Sequence, residues 1–388
     1  MVVERPLKAE DIELFLEALK VCGFEVESRG ADVHLRPLTP TTRGGEIFCG
    51  NAGTLFRFLV AVLTVLPGRW RLDGTPRLRQ RTVAPLLACL RTLGAEIRCL
   101  GQEGFAPLEI EGGTLRGGKA SLDAGQSSQF LSALLLAGQR AQEVLEIRVE
   151  ALTSAPYLDL SLESVEAFGG RVERPAEDLF LVRPSVLALD RARVEGDFSA
   201  ACYGAAAAAL GGGPVRIEGV RRASRQGDRR FLEVLERMGA TVRWLGEEVV
   251  EVEARELQAV TEDFSDLPDQ VPTLAALAPF ARGTTRITNV AHLRIKESDR
   301  LAAMATQLGR LGVPVDEGVD FLVIDGVWAQ GMPDSLPAVE VEVYDDHRIA
   351  MSLALVGLRR GGVSVRDPGV VAKSYPDFWL HLQGLIAK

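Results

Sequence analysis

Leucine-rich amphipathic stretches recur along the chain, each followed by a glycine and then by a short β-prone run. The pattern occurs at Leu19–Val26 around Gly23, Leu90–Ile97 around Gly94, Val165–Val172 around Gly169, Leu235–Val242 around Gly239, and Leu308–Val315 around Gly312. Apolar residues at three- and four-residue intervals predict a helix with one buried face, and a glycine just past its end suits the left-handed conformation that closes a helix. The apolar residues after the glycine predict a strand returning along a sheet. Helix, glycine and strand can follow one another by chance in any α/β protein. Five copies spread over the whole chain instead predict an internal repeat of βα units.

Three copies precede residue 194 and two follow it, with the helical-looking segment Phe378–Ile386 available as a third. The prediction is an α/β protein of two similar domains, 1–194 and 195–388. The boundary is expected at Val194-Glu195-Gly196-Asp197, where a strand-like segment gives way to an Ala-rich helix over Ser199–Leu210. A chain of 388 residues is too long for one ordinary core. With no Pro/Ser-rich linker, the connection should be short and hinge-like, and a cleft between the two domains is a natural place for a ligand.

Composition narrows the function. With 47% hydrophobic and 25% charged residues the chain reads as a globular protein, and a net charge of -9 argues against a general nucleic-acid or membrane-surface binder. Any positive potential must therefore be local. Cys22, Cys49, Cys89, Cys99 and Cys202 show no metal-ligand spacing, and their odd number does not suggest a disulfide framework, so a reducing cytoplasm is expected. Met1 is followed by Glu4, Arg5, Lys8 and Asp11 rather than by a secretory signal. The most apolar stretch, Leu55–Leu66, contains Arg57 and is too short to span a bilayer.

Local positive charge stands late in the chain. Lys296-Glu297-Ser298-Asp299-Arg300 lies downstream of Asp269 and upstream of Asp346-His347-Arg348 and Lys373. Cations interleaved with carboxylates predict an anion-handling site with acid/base groups inside it, and hence a small polyanionic substrate. The four-residue spacing predicts that Lys296 and Arg300 share one face of a helix opening at Lys296, with Glu297 rotated to the next position. A cation at a helix start opposes the helix dipole, which argues against an ordinary solvated helix end. Arg348 repeats the arrangement before the apolar helix Ile349–Leu358. Asp269, just before the apolar run Pro272–Ala281, is either an N-cap or, among these cations, a partner of Glu297 in acid/base work.

The first half offers polar helix starts. Gly50-Asn51-Ala52-Gly53-Thr54 before Leu55–Leu66 is either a glycine-rich capping turn or a place where backbone amides approach an anion. Gln126-Ser127-Ser128-Gln129 before Phe130–Leu136 is either an ordinary cap or a set of donors for a phosphate. Ser154, in Thr153-Ser154-Ala155-Pro156-Tyr157, adds a similar hydroxyl. Arg81 lies in a polar turn before the helix Val83–Leu93 and is either a surface guanidinium or an anion ligand.

In residues and in order, these segments resemble the 5-enolpyruvylshikimate-3-phosphate synthase family of enolpyruvyl transferases across nearly the whole chain. The resemblance is carried by Gly50-Asn51-Ala52-Gly53-Thr54 with Arg57, Arg81, Ser127-Ser128-Gln129-Phe130, Ser154 with Tyr157, Glu195-Gly196-Asp197, Gln226-Gly227-Asp228, Asp269, Lys296-Glu297-Ser298-Asp299-Arg300, Asp346-His347-Arg348 and Ala372-Lys373. It implies an inside-out α/β barrel-like fold of two domains with three βα units each, closing on shikimate 3-phosphate and phosphoenolpyruvate in an interdomain cleft. No metal, organic cofactor, nucleic acid or membrane is implied, and a cytoplasmic monomer is expected. By the same resemblance Ser127, Ser128, Gln129, Ser154, Asp269, His292 and Lys296 would hold shikimate 3-phosphate. Gly53, Arg81, Gln129, Arg300, Arg348 and Lys373 would hold phosphoenolpyruvate. Asp269 would accept a proton and Glu297 donate one, with Lys373 assisting. His292 stands where many relatives carry an asparagine that reaches the substrate phosphate, and a histidine still donates one hydrogen bond.

Members of this family normally begin with a strand of the second domain and a Lys-Ser-x-Ser-Asn-Arg helix start, and this chain begins after both. Two readings follow. Either the start was assigned too far downstream, at a methionine before the strand Val2–Leu7, or the chain is a shortened homologue that binds shikimate 3-phosphate or a similar anion with little turnover. An unpaired sheet edge in the second domain is expected with either. The related UDP-N-acetylglucosamine enolpyruvyl transferases place a cysteine in a mobile loop near the first-domain arginine, whereas here the neighbourhood reads Leu78-Arg79-Gln80-Arg81-Thr82.

Overall fold

The five repeat glycines all terminate helices in the computed structural model, which describes residues 1–38, 44–152, 155–211, 213–254, 256–333 and 335–386. The chain forms two compact units, Met1–Val194 and Glu195–Lys388. The first contains α1 (Glu10–Val21), α2 (Gly53–Val62), α3 (Ala84–Thr92), α4 (Gln129–Gly138) and α5 (Ala155–Ala167). The second contains α6 (Phe198–Ala209), α7 (Phe231–Arg237), α8 (Val271–Leu277), α9 (Arg300–Arg310), α10 (His347–Arg360) and α11 (Phe378–Ile386). Gly23, Gly94, Gly169, Gly239 and Gly312 follow α1, α3, α5, α7 and α9 with φ between 83° and 99°. After α3 the Gly94 N–H donates to the Arg91 carbonyl and the Ala95 N–H to that of Leu90, and the same pair of bonds recurs after α5, α7 and α9. These bonds satisfy carbonyls that a helix end leaves open, and only glycine takes the required backbone conformation without strain.

The repeat is equally plain in the sheets. Among the described residues of the first unit, three four-stranded sheets share one pairing pattern. Their spatial orders are Gly44–Phe48, Gly68–Asp73, Leu108–Gly112, Glu96–Cys99; then Gly118–Ala124, Leu145–Leu152, Leu179–Arg183, Arg171–Ala176; then Arg191–Arg193, Val2–Glu4, Asp32–Pro37, Phe24–Arg29. In each, the first two strands are parallel and the other pairings antiparallel. The third sheet joins the two ends of the unit. Parallel neighbours need a crossover, which α2 and α4 supply in the first two sheets. In the second unit Thr261–Asp263, Thr284–Thr288, Leu322–Asp325 and Val315–Glu317 repeat the whole pattern around α8. Val339–Val341 and Val363–Val365 repeat its parallel pair around α10, and Val215–Glu218, Val249–Glu253 and Thr241–Trp244 its antiparallel part.

The crossover helices are apolar almost all round and therefore lie inside. In α4, Phe130, Leu131, Ala133, Leu134 and Leu135 are fully buried, and every residue of α8 is buried. Helices α6, α8 and α10 pack on one another, and the alanines of α6 allow their close approach. Each unit has its own core. The segment expected as one helix over Leu55–Leu66 is α2 followed by a 3-10 turn over Leu63–Val65, where the Thr64 hydroxyl donates to the Ala61 carbonyl. Among the described residues no helix is long and apolar enough to cross a membrane.

This architecture collects the candidate residues at the N-terminal ends of inner helices. Gly53 opens α2, Ser127–Gln129 open α4, Asp269 precedes α8 and Arg348 lies in the first turn of α10. Backbone N–H groups and the helix dipole favour negative charge at such ends.

Candidate active site

Helix α9 opens at Arg300 and not at Lys296, which corrects the expected shared helix face. Asp299 is its N-cap and accepts from the Ala302 N–H at 3.1 Å. Lys296 is extended, at φ -82° and ψ -151°, after a 3-10 turn over Ala291–Ile295. The cap residue is acidic, so this helix start agrees with its dipole after all. Arg294 fixes the segment from both sides. Its Nη1 pairs with Asp299 at 2.9 Å and Glu317 at 2.8 Å, while its Nε donates to the Val319 carbonyl and its Nη2 to that of Gly318. Lys296 and Glu297 are thereby carried on a tethered loop rather than on a helix.

Arg300 is the centre of the second unit's site. Its side chain is 2% exposed and meets three carboxylates: Nε to Asp346 Oδ2 at 2.8 Å, Nη1 to Asp269 Oδ1 at 2.8 Å, and Nη2 to Glu297 Oε2 at 2.9 Å. Arg348 Nη2 takes the other Asp269 oxygen at 2.9 Å, and Lys373 Nζ takes Glu297 Oε1 at 3.0 Å. Asp269 therefore pairs with two guanidinium groups rather than capping α8, whose N-cap, Gln270, makes no side-chain capping bond. Asp346 is the N-cap of α10, accepting from the Arg348 N–H at 3.0 Å and from Ser298 Oγ at 3.0 Å. Sequence-distant residues 269, 297, 300, 346, 348 and 373 are thus brought into one connected network.

Burial works against every charge here, and the partners decide the outcome. Burial pushes the Asp269 carboxyl up, but Arg348, Arg300 and Lys296 together hold it far below the ordinary range. Burial likewise opposes ionisation of Asp346, and the Arg300 guanidinium outweighs it. Arg300 is held more firmly charged than usual despite its burial, by Asp346, Glu297 and Asp269. His292 is pushed down to about 4, by burial first and then by Lys296. His347 falls to about 3 for the same first reason, aided by Arg348. Both histidines are neutral at physiological pH, and His292 Nε2 is buried without a hydrogen-bond partner.

His347 makes stability sensitive to acid. The unfolded histidine takes a proton below about pH 6.5, whereas the folded one refuses it until about pH 3, so falling pH favours the unfolded state through this group. Asp228, raised to about 6, acts in the opposite sense, so a comparison of variants is needed. Relative to the wild type, His347→Gln should gain about 1.4 kcal/mol per pH unit below about pH 6.5. Urea unfolding of both proteins at pH 7 and pH 5 measures this, and an equal gap at the two pH values contradicts it.

The first unit carries a separate cluster. The Arg81 guanidinium lies against Gly53, where an added Cβ would stand 2.6 Å from Arg81 Nη1. Arg57 lies over the Phe130 ring at 5.3 Å and donates to Gln129 Oε1 at 2.6 Å, while Gln129 Nε2 donates to Thr54 Oγ1 at 2.7 Å. Ser127 Oγ accepts from the Gln129 N–H at 3.3 Å, a capping contact. Ser128, the N-cap of α4, is buried and makes no side-chain capping bond. Arg81 is buried too, against the surface reading of its turn. Residues 53, 81 and 127–129 thus stand at the starts of α2 and α4, and Ser154 lies outside the described residues.

Three groups with no role in the sequence reading belong with the Arg300 network of the second unit. Asp197, the N-cap of α6, is exposed, accepts from the Ser199 and Ala200 N–H groups, and lies within reach of the charge on Arg348. Asp228 is buried beside Ser199 and Gln270. Tyr203 is fully enclosed, with Arg348, Arg300 and Asp269 among its charged neighbours.

The chain is similar to known proteins along nearly its whole length. A family model described as EPSP synthase (3-phosphoshikimate 1-carboxyvinyltransferase) matches residues 1–382. The chain is 43% identical over 383 residues to a 3-phosphoshikimate 1-carboxyvinyltransferase of Syntrophobacter fumaroxidans, covering 97% of this chain and 89% of that protein. It is 40% identical to one from Vibrio cholerae, covering 96% and 88%. Among solved structures, EPSP synthase from Acinetobacter baumannii superposes with a TM-score of 0.80 at 27% identity, over 99% of this chain and 89% of that one. The enolpyruvyl transferase NikO from Streptomyces tendae shares the fold, with a TM-score of 0.77 at 18% identity over 99% and 88%.

Proposed function

The chain belongs to the EPSP synthase (3-phosphoshikimate 1-carboxyvinyltransferase) family, and from that premise we propose how its residues serve the reaction. The reaction transfers the enolpyruvyl group of phosphoenolpyruvate to the 5-hydroxyl of shikimate 3-phosphate and releases phosphate. The hydroxyl oxygen bonds to C2 of phosphoenolpyruvate, its proton passes to Asp269, and the methylene carbon takes a proton that the Lys373 ammonium passes through Glu297. A tetrahedral adduct results. The bond from C2 to the phosphate oxygen then breaks, the departing phosphate takes the proton held by Asp269, and a methyl proton returns by way of Glu297 to restore the double bond.

The observation that carries this reading is the sharing of Arg300. Asp269 and Glu297 each bind two cations, with Arg300 common to both. A doubly or triply charged anion brought among Arg300, Arg348 and Lys373 competes with these carboxylates for the same donors. Phosphate and carboxylate oxygens suit the planar fork of arginine. As the cations turn to the substrate, Asp269 loses the partners that depress its proton affinity and becomes a better base. Lys296, His292, Ser127, Ser128, Gln129 and Ser154 serve shikimate 3-phosphate, whereas Gly53, Arg81, Gln129, Arg300, Arg348 and Lys373 serve phosphoenolpyruvate. Neutral His292 donates its ring N–H to the phosphate. Residues 1–194 and 195–388 act as the two domains of one enzyme, a cytoplasmic monomer. The separate core of each unit supports the domain assignment, and the five free cysteines suit a reducing compartment.

Phosphate release that requires both substrates tests the function, with calorimetric binding of shikimate 3-phosphate as a second measurement. Binding without release would favour the non-turnover homologue. Gly53→Ala gives a sharper test of the first unit. Its methyl must displace the Arg81 guanidinium, so KM for phosphoenolpyruvate should rise roughly tenfold, the loss of about one charge-assisted hydrogen bond. KM for shikimate 3-phosphate should change little, and an equal rise in both would remove Arg81 from the assigned role.

A further inference from the structure

Asp228 is a buried carboxylate that the reaction scheme above does not use. It lies in the 3-10 turn Gly227–Arg230, and only 4% of the residue is exposed. Its Oδ2 accepts from the Ser199 hydroxyl, in the first turn of α6, and from Gln270 Nε2 at 3.0 Å. Its Oδ1 is buried with no hydrogen-bond partner among the described residues. Gln270 is the residue after Asp269, and its own Oε1 accepts from Thr273 Oγ1 at 3.1 Å. The amide is therefore gripped at both ends, which fixes the turn Pro268–Gln270 that carries Asp269.

We propose that Asp228 is a positioning residue for Asp269: it clamps the turn through Gln270 and stands as a like charge behind the proton acceptor. This rests on the reading of Asp269 as that acceptor. The charged groups acting on Asp228 from the surrounding elements are Asp269 on its turn and Arg348 on α10. Cys202 on α6 donates only to the Asp228 carbonyl, and its thiol is pushed up by burial. Arg229 and Arg230, adjacent in sequence, pair instead with Glu233 and Asp266. Burial and then Asp269 push the Asp228 carboxyl up to about 6, while Arg348 and the bonds from Ser199 and Gln270 oppose this. Above that pH, ionised Asp228 repels the charge on Asp269 and makes it a readier base. Below it, Asp228 takes a proton, the repulsion vanishes, and Asp269 falls back under the control of its cations.

An acid limb of kcat near pH 6, set by Asp228, is therefore expected. Asp228→Asn keeps the shape and an acceptor for Gln270 but removes the charge. It should lower kcat at pH 7 on the order of tenfold, abolish the limb, and leave both KM values within about twofold, because Asp228 does not touch substrate. Ser199→Ala removes a donor to the ionised form, so it should move the limb to higher pH. This second variant carries the test if Asp228→Asn does not fold. A limb unchanged in both, or a loss of kcat that is uniform across pH, overturns the proposal. Asp269→Asn separates the two readings: if it is inactive while Asp228→Asn keeps the wild-type profile, only the positioning role falls. If Asp269→Asn retains turnover, both fall.

Discussion

Asp269→Asn is expected to reduce kcat on the order of a thousandfold while leaving the fold and the binding of phosphoenolpyruvate intact. Loss of a positioned acid or base commonly costs between about a hundredfold and ten-thousandfold. Asparagine preserves the size of the side chain and one oxygen for Arg300 or Arg348, so the network should close around it. Its amide cannot take the proton of the 5-hydroxyl. Because Asp269 competes with the substrate for two guanidinium groups, removing its charge should leave the Kd for phosphoenolpyruvate equal or lower. Glu297→Gln should behave alike, since Glu297 competes for Arg300 and Lys373. Steady-state kinetics with calorimetry reads both quantities. Near-normal kcat in either variant removes that residue from proton transfer, and a Kd raised more than about tenfold makes the residue a ligand rather than a competitor.

This split between kcat and Kd follows from one electrostatic fact. A buried cation must have a partner, and in this site the carboxylates hold the cations until a better anion arrives. The same exchange prepares the chemistry, because losing Arg300 and Arg348 raises the basicity of Asp269 when its substrate is beside it. The apparent conflict between a strongly acidic Asp269 and its work as a base is resolved by the exchange.

Much of this was legible in the residues. The five glycines marked the ends of α1, α3, α5, α7 and α9 because glycine alone relieves the left-handed closure. The inner helices were visible as runs without a polar face, such as Phe130–Leu136. What the sequence misrepresented was the stretch before α9. A four-residue spacing between Lys296 and Arg300 reads as one helix face, yet Asp299 captures the Ala302 N–H and starts the helix later, while Arg294 ties down the loop. Periodicity reports favourable spacing and is blind to a cap that moves the first turn. Asp228 was visible only as part of a short motif, since burial of a carboxylate depends on what α6, α8 and α10 bring to it. Asp269 looked locally like a cap, and only tertiary neighbours from positions 300 and 348 give it another role.

Those neighbours make Arg300 the most sensitive position in the second unit. Arg300→Leu removes the one group that touches Asp346, Asp269 and Glu297 at once. Asp346 has a fully buried side chain, and without Arg300 it keeps, among the described residues, only the Ser298 hydroxyl and the Arg348 N–H as donors at these oxygens. Breaking a buried ion pair from one side costs about 3–5 kcal/mol, far more than the pair's own net worth, because the abandoned charge remains inside. We expect a loss of that size in urea unfolding, together with loss of turnover. Arg300→Lys should recover part of the stability but little of the activity, since one ammonium cannot reach three carboxylates or present a planar fork to phosphate. The double variant Arg300→Leu with Asp346→Asn distinguishes abandoned charge from lost packing. If the penalty arises from Asp346, the pair should be more stable than Arg300→Leu alone. If the second substitution instead adds its own full cost, packing around the guanidinium is the greater term, and Asp346 retains its charge on the donors of α10 and Ser298.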